Sequence, residues 1–195
     1  MTNVLDTTDD GRYRVRLVHD DHAPNPRHDR DTRVHVITID THLGQYIPVD
    51  RDGGPLAEAW HRVCWNRWAG VDIFTRYVSI FHGGLVLESA PAKGARSLWY
   101  MTGEEMIALD AGLLSEGYIE AEMEEYEAWA EGDTWAWVIE ERVDWTRDSD
   151  ESASMETWEE VESCSGYYGA TWARKEAREA LRHFVSSRSK EDQAS

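Results

Sequence analysis

Apolar and polar residues alternate with period two over residues 12–20, RYRVRLVHD, which predicts a half-buried strand. Residues 33–40, RVHVITID, read as a second strand by their β-branched content. Between them HDDHAPNPRHDRD is a loop, broken by Pro24 and Pro26. The Gly53-Gly54-Pro55 turn opens a helix over about 55–68, where Leu56, Ala59, Trp60 and Val63 recur at helical spacing; Gly70 closes it. Residues 71–89 read as a hairpin of two strands around His82-Gly83-Gly84. After a loop over 91–97 and a short strand, LWYM, Thr102 and Glu105 stand at capping-box spacing and begin a helix ending near Gly112. Ser115 caps the next helix, about 116–131, and Gly132 ends it.

The last third returns to strands. Residues 134–145 form one, with Trp135, Trp137, Ile139 and Val143 on one side. Residues 146–156 are polar and poor in apolar groups, which predicts a mobile insertion. A strand over TWEEVESCS and a turn lead to a final helix of about 169–185. Its expected buried stripe is Trp172, Ala177, Ala180, Leu181 and Phe184. Residues 1–11 and 186–195 read as a flexible terminus and a disordered tail. Strands and helices in mixed succession, with hairpins, predict a single α+β domain over 12–185: mostly antiparallel sheet packed with three to four helices.

Composition agrees with a packed core. The chain has 195 residues, 41% of them hydrophobic, with ten Trp, eight Tyr and three Phe. No apolar run approaches the ~20 residues of a membrane span, and MTNVLDTTDDGR is no signal peptide. Cys64 and Cys164 match no disulfide framework or zinc spacing. Two mostly buried thiols in a reducing cytoplasm are the expectation.

Charge changes the picture. The net charge is −18, but residues 104–162 hold 21 acids against two bases, Arg142 and Arg147. From Ser97 to Glu141 there is no Lys or Arg at all. Such a field repels nucleic acid and membranes and attracts basic proteins over about a Debye length, ~8 Å at physiological salt.

The densest part is the helix over 116–131. On a helical wheel Ile119, Met123, Tyr126 and Ala130 form one stripe, expected to face the core. Glu116, Glu120, Glu124, Glu127 and Glu131 fall in a neighbouring arc, with Glu122 and Glu125 on the far side. Like charges at i,i+3 and i,i+4 each cost about 0.2–0.5 kcal/mol. The seven carboxylates over about 24 Å of helix give one per roughly 3.4 Å, close to the phosphate rise along one DNA strand. Trp129 lies off the apolar stripe and is expected as an exposed interface anchor. A solvated acidic face is the alternative reading. Carboxylates at Glu140, Glu141, Asp144, Asp148, Asp150, Glu151, Glu159, Glu160 and Glu162 are expected to extend the surface.

Other chemistry is less specific. His19, Asp20, His22, His28 and Asp29 are metal-ligand types, but their spacing fits no ligand signature. The 147–160 stretch, RDSDESASMETWEE, lacks the order of a calcium loop. Cys64 has His61 three residues before it, a spacing that favours a structural thiol over a nucleophilic pair. The Gly-Gly pairs lack Walker or dinucleotide spacing and are turns. Trp60, Trp65, Trp68, Trp135, Trp137 and Trp172 fit stripes and are expected in the core, while Trp65, Tyr167 and Tyr168 could line an aromatic pocket.

Tyr126, Gly132-Asp133, the strand TWAWVIEE, then ESCSGYYG (162–169) and the helix ATWARKEAREAL follow one another in the C-terminal third, with VCWNRW at 63–68 as a further block. In these blocks the chain resembles a family of small phage- and plasmid-encoded proteins. The long N-terminal region and the 146–156 insertion depart from the family. Since that family has no assigned activity, the resemblance implies a mobile-element context only. Together with the charge it leads to an expectation: an accessory protein of the host cytoplasm, not an enzyme, without cofactor or metal. Its DNA-mimic-like face, Glu116, Glu120, Glu122, Glu124, Glu125, Glu127, Trp129 and Glu131, would bind and inhibit a basic, nucleic-acid-binding host protein of defence or replication. It would not bind nucleic acid or membrane directly. A small-ligand module using the aromatic pocket, or an enzyme, are the competing expectations.

Overall fold

The computed structural model describes residues 3–28, 33–38, 53–64, 69–89, 96–109, 115–147 and 150–194. Its elements in chain order begin β1 (Asn3–Thr7), β2 (Tyr13–His19), β3 (His35–Thr38), α1 (Ala57–Val63), α2 (Gly70–His82) and β4 (Leu85–Ser89). They continue β5 (Ser97–Met101), α3 (Gly103–Ala108), α4 (Ser115–Glu131), β6 (Thr134–Arg147), β7 (Asp150–Tyr168) and α5 (Ala170–Ala194). Both sheets are antiparallel, so the chain is an α+β fold as expected. Among the described residues no helix is long and apolar enough to cross a membrane. The chain divides into two compact units, Met1–Pro24 with Gly132–Ser195, and Asn25–Glu131.

The first unit is a four-stranded sheet, order β1-β2-β6-β7, covered on one face by α5. The period-two pattern of β2 puts Tyr13, Val15 and Leu17 on that face, and the register sets Val15 beside Ile139 and Leu17 beside Trp137. Ala173, Ala177, Leu181 and Phe184 of α5 close over them, with Phe184 edge-on to Tyr13 at 5.2 Å. Trp172, expected in this stripe, is instead 52% exposed, because it sits about 100° round the helix from Ala173; Lys175 lies over its ring. Residues 3–7, expected loose, add an edge strand, and α5 runs on to Ala194 through the expected tail. The stretch 146–156, expected as a mobile insertion, carries β6 and β7 beyond the end of β2 as a two-stranded ribbon, pairing Trp145 with Met155 and Thr146 with Ser154. Strand pairing there uses backbone groups, which a low apolar content does not remove.

The second unit is a three-stranded sheet, order β3-β5-β4, with helices on both faces. Central β5, SLWYM, is buried along its whole length. Its alternation sends Leu98 and Tyr100 toward Trp60, Phe74 and Val78 of α1 and α2. Trp99 and Met101 point the other way, toward Ile119 and Tyr126 of α4. Residues 71–82, expected as a strand, are therefore helical. Their β-branched content suggested a strand, but Gly70, Phe74 and Val78 recur every four residues and bury one helix face. The helix stops at Gly83, whose φ of +58° favours glycine. At Gly84 a Cβ would come within 2.3 Å of the Met101 carbonyl oxygen, so only glycine lets this turn reach β5. The helix expected over 55–68 is described only as the shorter α1, since residues 65–68, with Trp65 and Trp68, lie outside the described residues.

Candidate functional site

Helix α4 is held by its apolar stripe. Ile119 and Tyr126 are buried under β3 and β5, and Met123 and Ala130 pack beside them, as the wheel predicts. The buried arc is wider than that stripe, because Trp129 joins it. Trp129 is half-buried with its ring 5.6 Å from that of Tyr126, so it serves the core and is not the exposed anchor expected.

The seven glutamates of α4 meet different fates. Glu116, Glu120, Glu124 and Glu131 are exposed, and none of the four forms an ion pair among the described residues. Glu125 is half-buried. Glu127, although inside the outer arc, is half-buried and accepts the Ser89 hydroxyl of β4. Glu122 accepts from Arg27 Nη1 at 2.8 Å. The Arg27 side chain is only 4% exposed; Nη2 donates to the Val34 carbonyl at 2.6 Å, and its guanidinium lies 5.0 Å from the Trp99 ring centre. Arg27 comes from the proline-rich loop 95 residues earlier, so local sequence does not pair it with Glu122.

The charge row is thus sparser than the sequence count. The exposed carboxylates at 116, 120 and 124 stand four residues apart, about 6 Å of rise, with Glu131 about 10 Å further on. That is closer to every second phosphate of a DNA strand than to each one. Such a row can attract guanidinium and ammonium groups over several ångströms but has no depth in which to enclose a small molecule.

Of the carboxylates expected to extend the row, those within β6 and β7 lie on strands of the first unit, and Asp148 lies outside the described residues. Glu140 is buried on the sheet face away from α5 and accepts from Arg14 Nε and Arg16 Nε, both at 2.7 Å, and Glu141 accepts from Arg12 Nε at 2.9 Å. Burial pushes Glu140 up, but the two guanidinium bonds outweigh it and hold the carboxyl below its ordinary range. Glu159, Glu160 and Glu162 are exposed on β7. The side chains of Asp148, Asp150 and Glu151 lie outside the described residues.

The loop offered as a metal site does other work. His19 Nδ1 faces Asp21 at 2.7 Å and Nε2 faces the Gly132 carbonyl at 2.6 Å, so both ring nitrogens donate. The carbonyl first, then the carboxylate, raise its pKa. Asp20 accepts from the Gly166 and His22 amides. Among the described residues no group of three His, Cys, Asp or Glu side chains is placed to hold a metal, and Asp29 lies outside them.

Cys64 is half-buried with Sγ directed at the His61 carbonyl oxygen, 3.5 Å, while Cys164 is exposed, against the expectation of two mostly buried thiols. Tyr167 and Tyr168 are successive strand residues and so point to opposite faces. Tyr167 accepts from Trp137 Nε1, and Tyr168 donates to the Pro24 carbonyl. Trp65, the third residue of the expected aromatic pocket, lies outside the described residues.

One arrangement was not foreseen. His35 Nε2 donates to Glu105 at 2.6 Å, and Glu105 also takes the Thr102 amide and hydroxyl of its capping box. Burial pushes Glu105 up, but these three bonds outweigh it and lower it. The ring of His35 lies against the Gly54 backbone, where a Cβ would approach to 2.3 Å, and beside Tyr100. The pair ties β3 to α3. The capping-box spacing was the legible half of it.

No known protein family, curated protein or solved structure matches the chain.

Proposed function

We propose that the protein is a mobile-element accessory protein that binds a basic surface of a host protein through the outer face of α4. The observation that carries this is the row Glu116, Glu120, Glu124 and Glu131, exposed on a helix whose other side is fixed to a buried sheet. A rigid helix presents its charges without first being ordered, so little binding energy is lost to conformational entropy. The wider chain adds to the attraction, since the Asn25–Glu131 unit holds 18 acids against nine bases. The resemblance to phage and plasmid proteins suggests that the partner belongs to the host, in defence or replication. The spacing suggests a groove built for a phosphate backbone, and inhibition by occupying it.

The test is capture of host proteins at low and high salt by the native protein and by a variant with Glu116, Glu120 and Glu124 changed to Lys, followed by competition with duplex DNA. A captured basic protein that salt releases, that DNA displaces and that the variant fails to hold supports the proposal. Identical capture by both proteins removes it.

A further inference from the structure

A cavity of about 740 Å3 lies in the Asn25–Glu131 unit, between the end of α2, the start of α3 and the chain that leads into β3 and α1. Its volume is in the range of small-molecule sites, where an apolar wall and a few convergent polar groups fix a ligand. The wall is Pro55, Leu56 and Phe81, and Phe81 is 73% exposed. None of the α4 glutamates lines the cavity.

Three polar side chains that line it lack partners in the fold. Arg33 is half-buried and forms no ion pair among the described residues, although acids outnumber bases in its unit. Glu104 of α3 is exposed and likewise unpaired among them, whereas its neighbour Glu105 is saturated by His35 and by the Thr102 amide and hydroxyl. His82, edge-on to Tyr77 at 5.1 Å, has a buried Nε2 with no hydrogen-bond partner among the described residues. An unpaired buried nitrogen costs stability, and a ligand group within hydrogen-bond reach removes that cost.

The charges select the ligand. A guanidinium takes a carboxylate through two parallel hydrogen bonds, a carboxylate takes an ammonium group, and the apolar wall takes a hydrocarbon body. A nucleotide or sugar phosphate would bring two or more negative charges to a single arginine flanked by Glu104 and Glu105, and is disfavoured. We infer that the cavity binds a small zwitterion with a large apolar side chain, an amino acid of the phenylalanine or leucine type, its carboxylate on Arg33 and its ammonium group on Glu104. This goes beyond the proposed function and does not rest on it.

The experiment is isothermal titration of the full chain with L-phenylalanine, with phenethylamine, which lacks the carboxylate, and with phenylpropionate, which lacks the amine, each to about 10 mM. Phenylalanine should bind, and each analogue at least tenfold more weakly, through loss of one charge-assisted contact. Arg33→Gln should remove the discrimination against phenethylamine, and Glu104→Gln the discrimination against phenylpropionate. His82→Phe should weaken binding while the thermal midpoint of the free protein stays level or rises, since the unpaired nitrogen is gone. Absence of phenylalanine binding overturns the inference. So do three probes of equal affinity, or variants that keep the native preferences with unchanged circular dichroism.

Discussion

Two acidic stretches that adjoin in the sequence are treated in opposite ways by the fold. On β6, Glu140 and Glu141 each meet guanidinium groups: Arg14 and Arg16 hold one, and Arg12 holds the other. On α4, Glu116, Glu120, Glu124 and Glu131 face water, and only Glu122 is drawn inward to a buried arginine. Both stretches fall in the window without Lys or Arg. A strand acquires lateral neighbours from a distant segment: β2 sets Arg14 and Arg16 at the pleat spacing that meets Glu140 of β6, and Arg12, just before β2, reaches Glu141. A helix lying on a sheet has neighbours on one side only. Acidic residues near each other in sequence therefore supply structure in one place and an open field in the other.

The largest expected effect separates the two. Glu140→Ala leaves Arg14 and Arg16 without their shared acceptor and should destabilise the first unit by about 3 kcal/mol. Glu120→Ala should change stability by less than about 0.5 kcal/mol. Hydrogen exchange of the β2 and β6 amides reads the difference directly. A loss below about 1 kcal/mol at Glu140 would place it among ordinary surface pairs and end the contrast.

Acid titration gives the next effect. The folded pKa of Glu140 is lowered, so its contribution is present in full above the unfolded carboxylate value of about 4.3. It is lost as pH falls through the folded pKa. Protection of β2 should decline below about pH 5, and Glu140→Gln should flatten that decline. An unchanged decline in the variant would assign the acid sensitivity to other groups.

The smallest effect concerns α4. Changing Glu116, Glu120 and Glu124 to Lys exchanges two repelling i,i+4 carboxylate pairs for two repelling ammonium pairs and turns the i,i+3 pair of position 124 with Glu127 attractive, a net gain of about 0.2–0.5 kcal/mol at most. The variant should melt at the same temperature as the native protein or slightly above it. A clear loss of stability would mean that the row has structural partners.

How much of this was legible in the sequence follows the range of each interaction. Period-two alternation located β2 and β6, LWYM located β5, and the capping box located α3, because each signal lies within a few residues. The inward stripe of α4 was legible for the same reason. The helix α2 was not, since a residue set such as VDIFTRYVSIF satisfies strand composition and helical spacing together, and burial against β5 decides. Arg27 under Glu122, the Arg14 and Arg16 clamp on Glu140, and Ser89 on Glu127 were illegible because each joins segments separated by tens of residues or more. Two of those contacts, at Glu122 and Glu127, together with the half-buried Glu125, reduce the seven carboxylates of α4 to an exposed four, so the charge-reversal set is drawn from these: Glu116, Glu120 and Glu124.

The measurement that tests the central claim most directly is binding of the captured host protein to the native chain and to the Glu116, Glu120, Glu124 to Lys variant, each across a salt series. The account predicts affinity that falls steeply with salt for the native chain and is at least tenfold weaker, with a flatter slope, for the variant. Equal affinity and equal slope for the two would show that the outer face of α4 is a solvated surface and not the site.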